Sequence, residues 1–171
     1  MVETASRSEE SVVTAPGTIT RLDMTKLRQM GVNSLTEALS YVPGVQVIDG
    51  GLGNSLVMIR GITEVFNQKV LFMLDGVPYY MSSHSDFPLY SIPIDSIEAV
   101  EVIRGAASLL HGSNAATGAI NIILKDKKHP LTVRAGGGSN DTMTITADGT
   151  LDLNKDWSLR AGTEVRKITG M

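Results

Sequence analysis

The stretch from Glu98 to Lys125, EAVEVIRGAASLLHGSNAATGAINIILK, constrains this chain more than any other. Val100, Val102 and Arg104 alternate with Glu101 and Ile103 until Gly105 stops the run, which predicts a strand closed by an arginine-glycine turn. Ala106 to Leu110 are good helix formers, and Gly112 stands where a left-handed C-terminal cap belongs. Ala119 to Leu124 is almost continuously apolar, the pattern of a strand buried on both faces. Asn121 interrupts it, and a buried amide needs hydrogen-bond partners.

The residues before this stretch predict short helices between strands. Thr18 to Leu22 reads as a first strand. Asp23 is an N-cap candidate for a helix running through Met30 and ended by Gly31. Ser34-x-x-Glu37 is a capping box, with Leu35, Ala38, Leu39 and Val42 on the apolar face and Pro43-Gly44 at the stop. Strands are expected at Val45–Ile48, Leu56–Arg60 and Lys69–Leu74, the last closed by the turn dipeptide Asp75-Gly76. Residues 79–92 read as a long irregular loop. Pro93 to Ala99 reads as a short helix, with Asp95 and Glu98 in capping-box spacing. Mixed strands and short helices of this kind make a small α+β sheet domain.

Beyond the charged hinge DKKHP the texture changes. Met143, Ile145, Ala147, Gly149, Leu151 and Leu153 alternate with Thr142, Thr144, Thr146, Asp148, Thr150 and Asp152. After the turn Asn154-Lys155-Asp156, Trp157, Leu159, Ala161, Thr163 and Val165 face one way, and Ser158, Arg160, Gly162, Glu164 and Arg166 the other. Leu131, Val133 and Ala135 begin a shorter run of the same kind. A two-residue period fits a half-buried soluble hairpin sheet, and equally a transmembrane β-barrel wall with lipid on one face and lumen on the other.

Composition removes several functions. The chain is 42% apolar and 19% charged, as globular proteins are. A net charge of −3 argues against a nucleic-acid platform. The absence of cysteine excludes a disulfide scaffold and a thiolate metal site. His84, His111 and His129 are too scattered to suggest a metal site, and no cofactor is expected. His111, Ser113 and Asp126 lack a G-x-S-x-G elbow, Asp75 lacks a paired nucleophile, and Gly50 to Gly53 opens no phosphate-binding helix. No enzymatic activity is therefore expected.

Four blocks, in order, resemble the plug domain of TonB-dependent outer-membrane receptors: Leu35–Val47, Met58–Ile62, Val70–Pro78 and Glu98–Lys125. The resemblance covers most of residues 20–125. It implies an α+β plug with a mixed β-sheet and short helices, followed by the first antiparallel strands of a transmembrane β-barrel. On that basis residues 1–17 are a mobile arm, 18–128 the plug and 129–171 the first wall strands. Three strands fall short of the roughly eight a barrel needs, so the wall is expected to continue in a longer protein. The polar start MVETASRSEES carries no leader, and an exported parent would hold one upstream.

The resemblance also implies roles. In the family, strand-end arginines such as Arg60 and Arg104, each followed by glycine at Gly61 and Gly105, pair with glutamates of the barrel wall and lock the plug. Read as residues alone, they are two solvated arginines at turns. Val2, Glu3, Thr4 and Ala5 resemble the tail of a TonB box, which pairs edge-on with TonB, itself driven through ExbB and ExbD; the other reading is an ordinary disordered terminus. Tyr79, Tyr80, Met81, His84, Phe87 and Tyr90 form a loop that would touch ligand, or else pack on the plug or barrel. The implied function is energy-coupled uptake of a siderophore, haem, cobalamin or similar nutrient at the cell outer membrane, in contact with lipid and the rest of the barrel. The competing reading is a free-standing periplasmic or surface binding module built on the same fold.

Overall fold

The central strand of the sheet is buried because nothing in it is polar except one amide. In the computed structural model, which describes residues 18–51, 54–62, 67–81, 87–105, 114–125, 129–138, 141–155 and 157–167, that strand is β7 (Gly118–Leu124). It lies between β6 (Ile97–Arg104), antiparallel, and β4 (Val70–Leu74), parallel. β1 (Thr18–Asp23) adds to the free side of β6, and β5 (Val77–Pro78) folds back on β4. The order β1-β6-β7-β4-β5 is a mixed sheet. The side chain of Asn121 finds its partner across the sheet, where its Oδ1 accepts from the Gly76 amide at 2.9 Å. Asp75 and Gly76 take left-handed conformations (φ +48° and +77°), as the expected tight turn requires.

Even and odd positions of β6 and β7 serve two cores. Val100, Val102, Ile120 and Ile122 face the larger one, built with α1 (Met24–Gln29), α2 (Leu35–Ser40) and the hairpin of β2 (Val45–Gly51) and β3 (Asn54–Ile59). Ile103 and Ala119 face the smaller, with Ile19, Leu71 and Met73. Both helices start as their caps predict. The Asp23 carboxylate accepts from the Lys26 amide at 3.2 Å, and the Ser34 hydroxyl from the Glu37 amide at 3.1 Å.

The expected helix over Pro93–Ala99 does not form. A single 3-10 turn, Ile94–Ser96, leads directly into β6. Ladder pairing of Ile97 with Leu124 and Ala99 with Ile123 overrides the capping signal, and Asp95 is held by other partners. The expected helix over Ala106–Leu110 lies outside the described residues.

The last three strands, β8 (Thr132–Gly138), β9 (Thr142–Asp152) and β10 (Ser158–Lys167), form a separate antiparallel sheet. The alternation divides its faces as expected. Leu131, Val133, Met143, Ile145, Leu151 and Leu159 are exposed on one side, while Thr146 and Asp148 are buried on the other, against the 3-10 turn.

Candidate functional site

The two arginine-glycine dipeptides close different strands, yet the fold brings them together. Arg60 follows β3 in a left-handed conformation (φ +55°), and its amide donates to the Gly44 carbonyl at 2.8 Å. Its Nη1 lies 3.5 Å from where a Cβ would stand on Gly105, itself at φ +125°. A side chain at 105 would be strained by that φ, while meeting the guanidinium only at ordinary contact distance. Arg104 turns inward. Its Nη1 donates to the Pro43 carbonyl at 2.6 Å and its Nη2 to the Thr20 hydroxyl at 3.0 Å, tying the end of β6 to α2 and β1. Among the described residues neither arginine forms an ion pair with a carboxylate.

The aromatic loop divides in two. Phe87 is 1% exposed, stacks on Phe72 with ring centroids 4.6 Å apart, and receives the edge of Tyr79 at 5.4 Å. Its area is used for packing. Tyr79, Tyr80, Met81 and Tyr90 remain exposed, and the Tyr90 hydroxyl accepts from Ser55 at 3.0 Å. His84 and the segment Val2–Ala5 lie outside the described residues.

A third constellation was not foreseen from sequence. Two aspartates join the plug-like sheet to the three-stranded wall. Asp95, 3% exposed in the 3-10 turn, takes Arg28 Nε at 3.1 Å and Nη2 at 3.4 Å, Arg134 Nε of β8 at 3.4 Å, and the hydroxyl of Thr146 of β9. Asp148 of β9, 1% exposed, accepts from the Ser96 hydroxyl at 2.6 Å and lies against His129 Nε2, with Arg160 of β10 at 4.0 Å. Arg160 in turn donates to the Ser96 carbonyl at 2.9 Å and to that of Lys125. Gly162 makes room for this contact, since a Cβ there would stand 2.4 Å from the Ser96 hydroxyl. Farther along β10, Arg166 donates to the Asn33 carbonyl at 2.6 Å. Asp95 is met by two guanidiniums and a hydroxyl, the condition under which a buried charge is tolerated. Among the described residues, Asp148 is hydrogen-bonded through Oδ2 alone, and its Oδ1 is held only by the charges of His129 and Arg160.

Sequence reasoning missed these contacts because the ones that join the two sheets, Ser96–Asp148 and Asp95–Thr146, are 52 and 51 residues apart. Asp95 also carried a convincing local explanation as a helix cap. One signal was available: Asp148 is an acidic residue flanked on its own face by Thr146 and Thr150, opposite the exposed apolar face, and such a carboxylate requires a partner.

Comparison with known proteins places this geometry. The TonB-dependent Receptor Plug Domain family matches residues 11–119. The vitamin B12 transporter BtuB of Photobacterium profundum is 34% identical over 143 residues, covering 82% of this chain and 23% of that protein. The chain therefore spans about a quarter of the length of the curated relatives it matches. Among solved structures, FpvA of P. aeruginosa bound to heterologous pyoverdines superposes with a TM-score of 0.78 at 24% identity, over 98% of this chain and 22% of that one. The ferric yersiniabactin uptake receptor FyuA from Yersinia pestis gives 0.66 at 22% identity, over 80% and 22%. The first superposition takes in β8–β10 as well as the sheet domain, so the shared fold extends beyond the family match.

Proposed function

The chain belongs to the TonB-dependent receptor plug domain family, and from that premise we propose that it is the gate, with the first wall strands, of an outer-membrane receptor for a metal chelate of the siderophore or cobalamin kind. The observation that carries this is the two-sided wall. Its outer face is apolar and uncovered, and its inner face is polar and bonded to the sheet domain through Asp95 and Asp148. A plug seated inside a lipid-embedded barrel needs this pattern, whereas a free-standing soluble module would leave that apolar face in water.

In this reading residues 18–128 are the plug and 129–171 the start of the wall. Arg60, with Gly61 behind it, offers its guanidinium to a wall carboxylate. Arg104 and Gly105 hold the second turn in place beneath it. Residues 1–17 form the periplasmic arm, and Val2, Glu3, Thr4 and Ala5 couple it to TonB, energised through ExbB and ExbD, by strand addition. Exposed Tyr79, Tyr80, Met81 and Tyr90, with His84, meet the ligand, while Phe87 anchors their loop from beneath. The named relatives are transporters and receptors, which agrees with a non-enzymatic role.

The test is nutrient uptake by cells carrying the full-length receptor as their only route, offered cyanocobalamin and ferric siderophores of the hydroxamate and catecholate classes in turn. One substrate should enter, and deletion of Val2–Ala5 should abolish entry while leaving binding at the cell surface. Entry that survives the deletion would sink the coupling assignment. Entry of none of the probes, with normal receptor in the membrane, would sink the substrate class.

A further inference from the structure

Between the sheet domain and the wall lies a groove of about 570 Å³, beside the Asp95 contacts and not filled by them. Strand register defines its floor. On the inward face Gly136 stands opposite Thr144 and Gly138 opposite Thr142, with Arg166 beside Thr144 on the next strand. Arg134, one position below Gly136 on the same face, and Arg28, from α1, complete a rim of three guanidiniums. The floor is therefore bare backbone and short hydroxyls, and the rim is cationic.

The glycines have no local reason to be there. Neither Gly136 nor Gly138 has a positive φ. A Cβ on Gly136 would meet nothing within 4 Å, and one on Gly138 only an ordinary contact at 3.6 Å. Glycine weakens a strand interior, and where neither turn nor packing demands it, it marks the close approach of another group. What these positions supply is space under the arginines.

The charges leave an excess. Arg28 is answered by Asp95, and Arg166 by Glu164 at 2.8 Å. Arg134 only shares Asp95, at 3.4 Å, and is half exposed. Among the described residues, no carboxylate lines the groove itself. Its volume lies in the range of small-molecule sites, and guanidinium forks match planar or tetrahedral oxyanions.

We propose that this groove binds a small molecule carrying a carboxylate or phosphate group, held by Arg134 and Arg166 over the glycine floor. The proposal goes beyond the uptake reading and does not rest on it, since the groove has its charge whatever the receptor transports.

Because these 171 residues contain no cysteine, Thr144→Cys puts their single thiol on the floor, and Lys155→Cys puts a reference thiol in an exposed turn. Both are made in the full-length receptor, and each thiol is titrated with a sulfonate-bearing and a trimethylammonium-bearing methanethiosulfonate. The anionic-to-cationic rate ratio should be roughly tenfold higher at position 144 than at 155. It should fall to the reference value in about 1 M salt, and also when Arg134→Gln and Arg166→Gln are combined. Citrate or inorganic phosphate should slow labelling at 144 alone, and the one effective at lower concentration identifies the oxyanion. Equal ratios at the two positions overturn the proposal, as does a ratio that survives loss of both arginines. A thiol at 144 that neither reagent reaches, or that neither anion protects, overturns it as well.

Discussion

Asp148 shows how much one residue carries here. Replacing it by alanine leaves the Ser96 hydroxyl, His129 and Arg160 facing a hole where a carboxylate stood. Breaking a buried pair by removing one partner costs about 3–5 kcal/mol. Asp148→Ala in the full-length receptor should therefore lower the urea midpoint at which the Ile97–Arg104 amides begin to exchange, and Asp148→Asn, which keeps the shape, should lower it less. An unchanged midpoint would mean the wall does not hold the plug here. Gly105→Ala tests the other cluster. It forces a side chain into φ +125° beside Arg60, at a cost of about 1–3 kcal/mol read as lost thermal stability. At this scale the sequence was legible wherever a residue answers to its immediate neighbours. Asp23, Ser34, Asp75 and Gly76 do what their types predict, because caps and turns are settled within a few residues. Asp95 and Asp148 were not legible, because the partners that determine their roles are remote in the chain.

Among the elements, β1 is tied to its neighbour by a buried charge as well as by its ladder. It lies at the edge of the sheet, and Arg21 reaches across to Glu101 of β6 at 2.6 Å, where the carboxylate is fully buried. Arg21→Ala strips that carboxylate of its guanidinium. Its cost should approach about 3 kcal/mol, moderated by the partial exposure of Arg21, and should appear as early exchange of the Thr18–Asp23 amides. Glu101→Gln combined with Arg21→Ala should recover part of the loss, since no charge is then left buried; a double variant as weak as the single one would contradict this. Strand type was readable from the apolar runs, most directly in β7. The Pro93–Ala99 segment was misread because its caps are local signals, and the β6–β7 ladder that overrides them depends on residues beyond position 118.

At the scale of the whole molecule, the five-stranded and three-stranded sheets are joined by polar contacts, with apolar surface on the far side of the latter. Leu159 stands opposite Leu151 on that outer face. Replacing both with arginine should cost about 2–4 kcal/mol per residue near the bilayer midplane, measured by reversible folding of the full-length receptor into vesicles. A cost near zero would mean this face does not meet lipid. The period-two pattern announced a two-faced sheet, but not which residues of the other sheet it grips, because alternation assigns faces and says nothing of what a face rests on. The location of that grip has a mechanical consequence. Asp95, Ser96 and Lys125 sit where β6 begins and β7 ends, while the chain enters β1 at Thr18, which pairs with Arg104 at the opposite end of the ladder. A load applied at Thr18 and resisted at that grip thus pulls β1 and β6 from opposite ends, so the six register pairs from Thr18–Arg104 to Asp23–Ala99 bear it together in shear and do not open one after another like a zip.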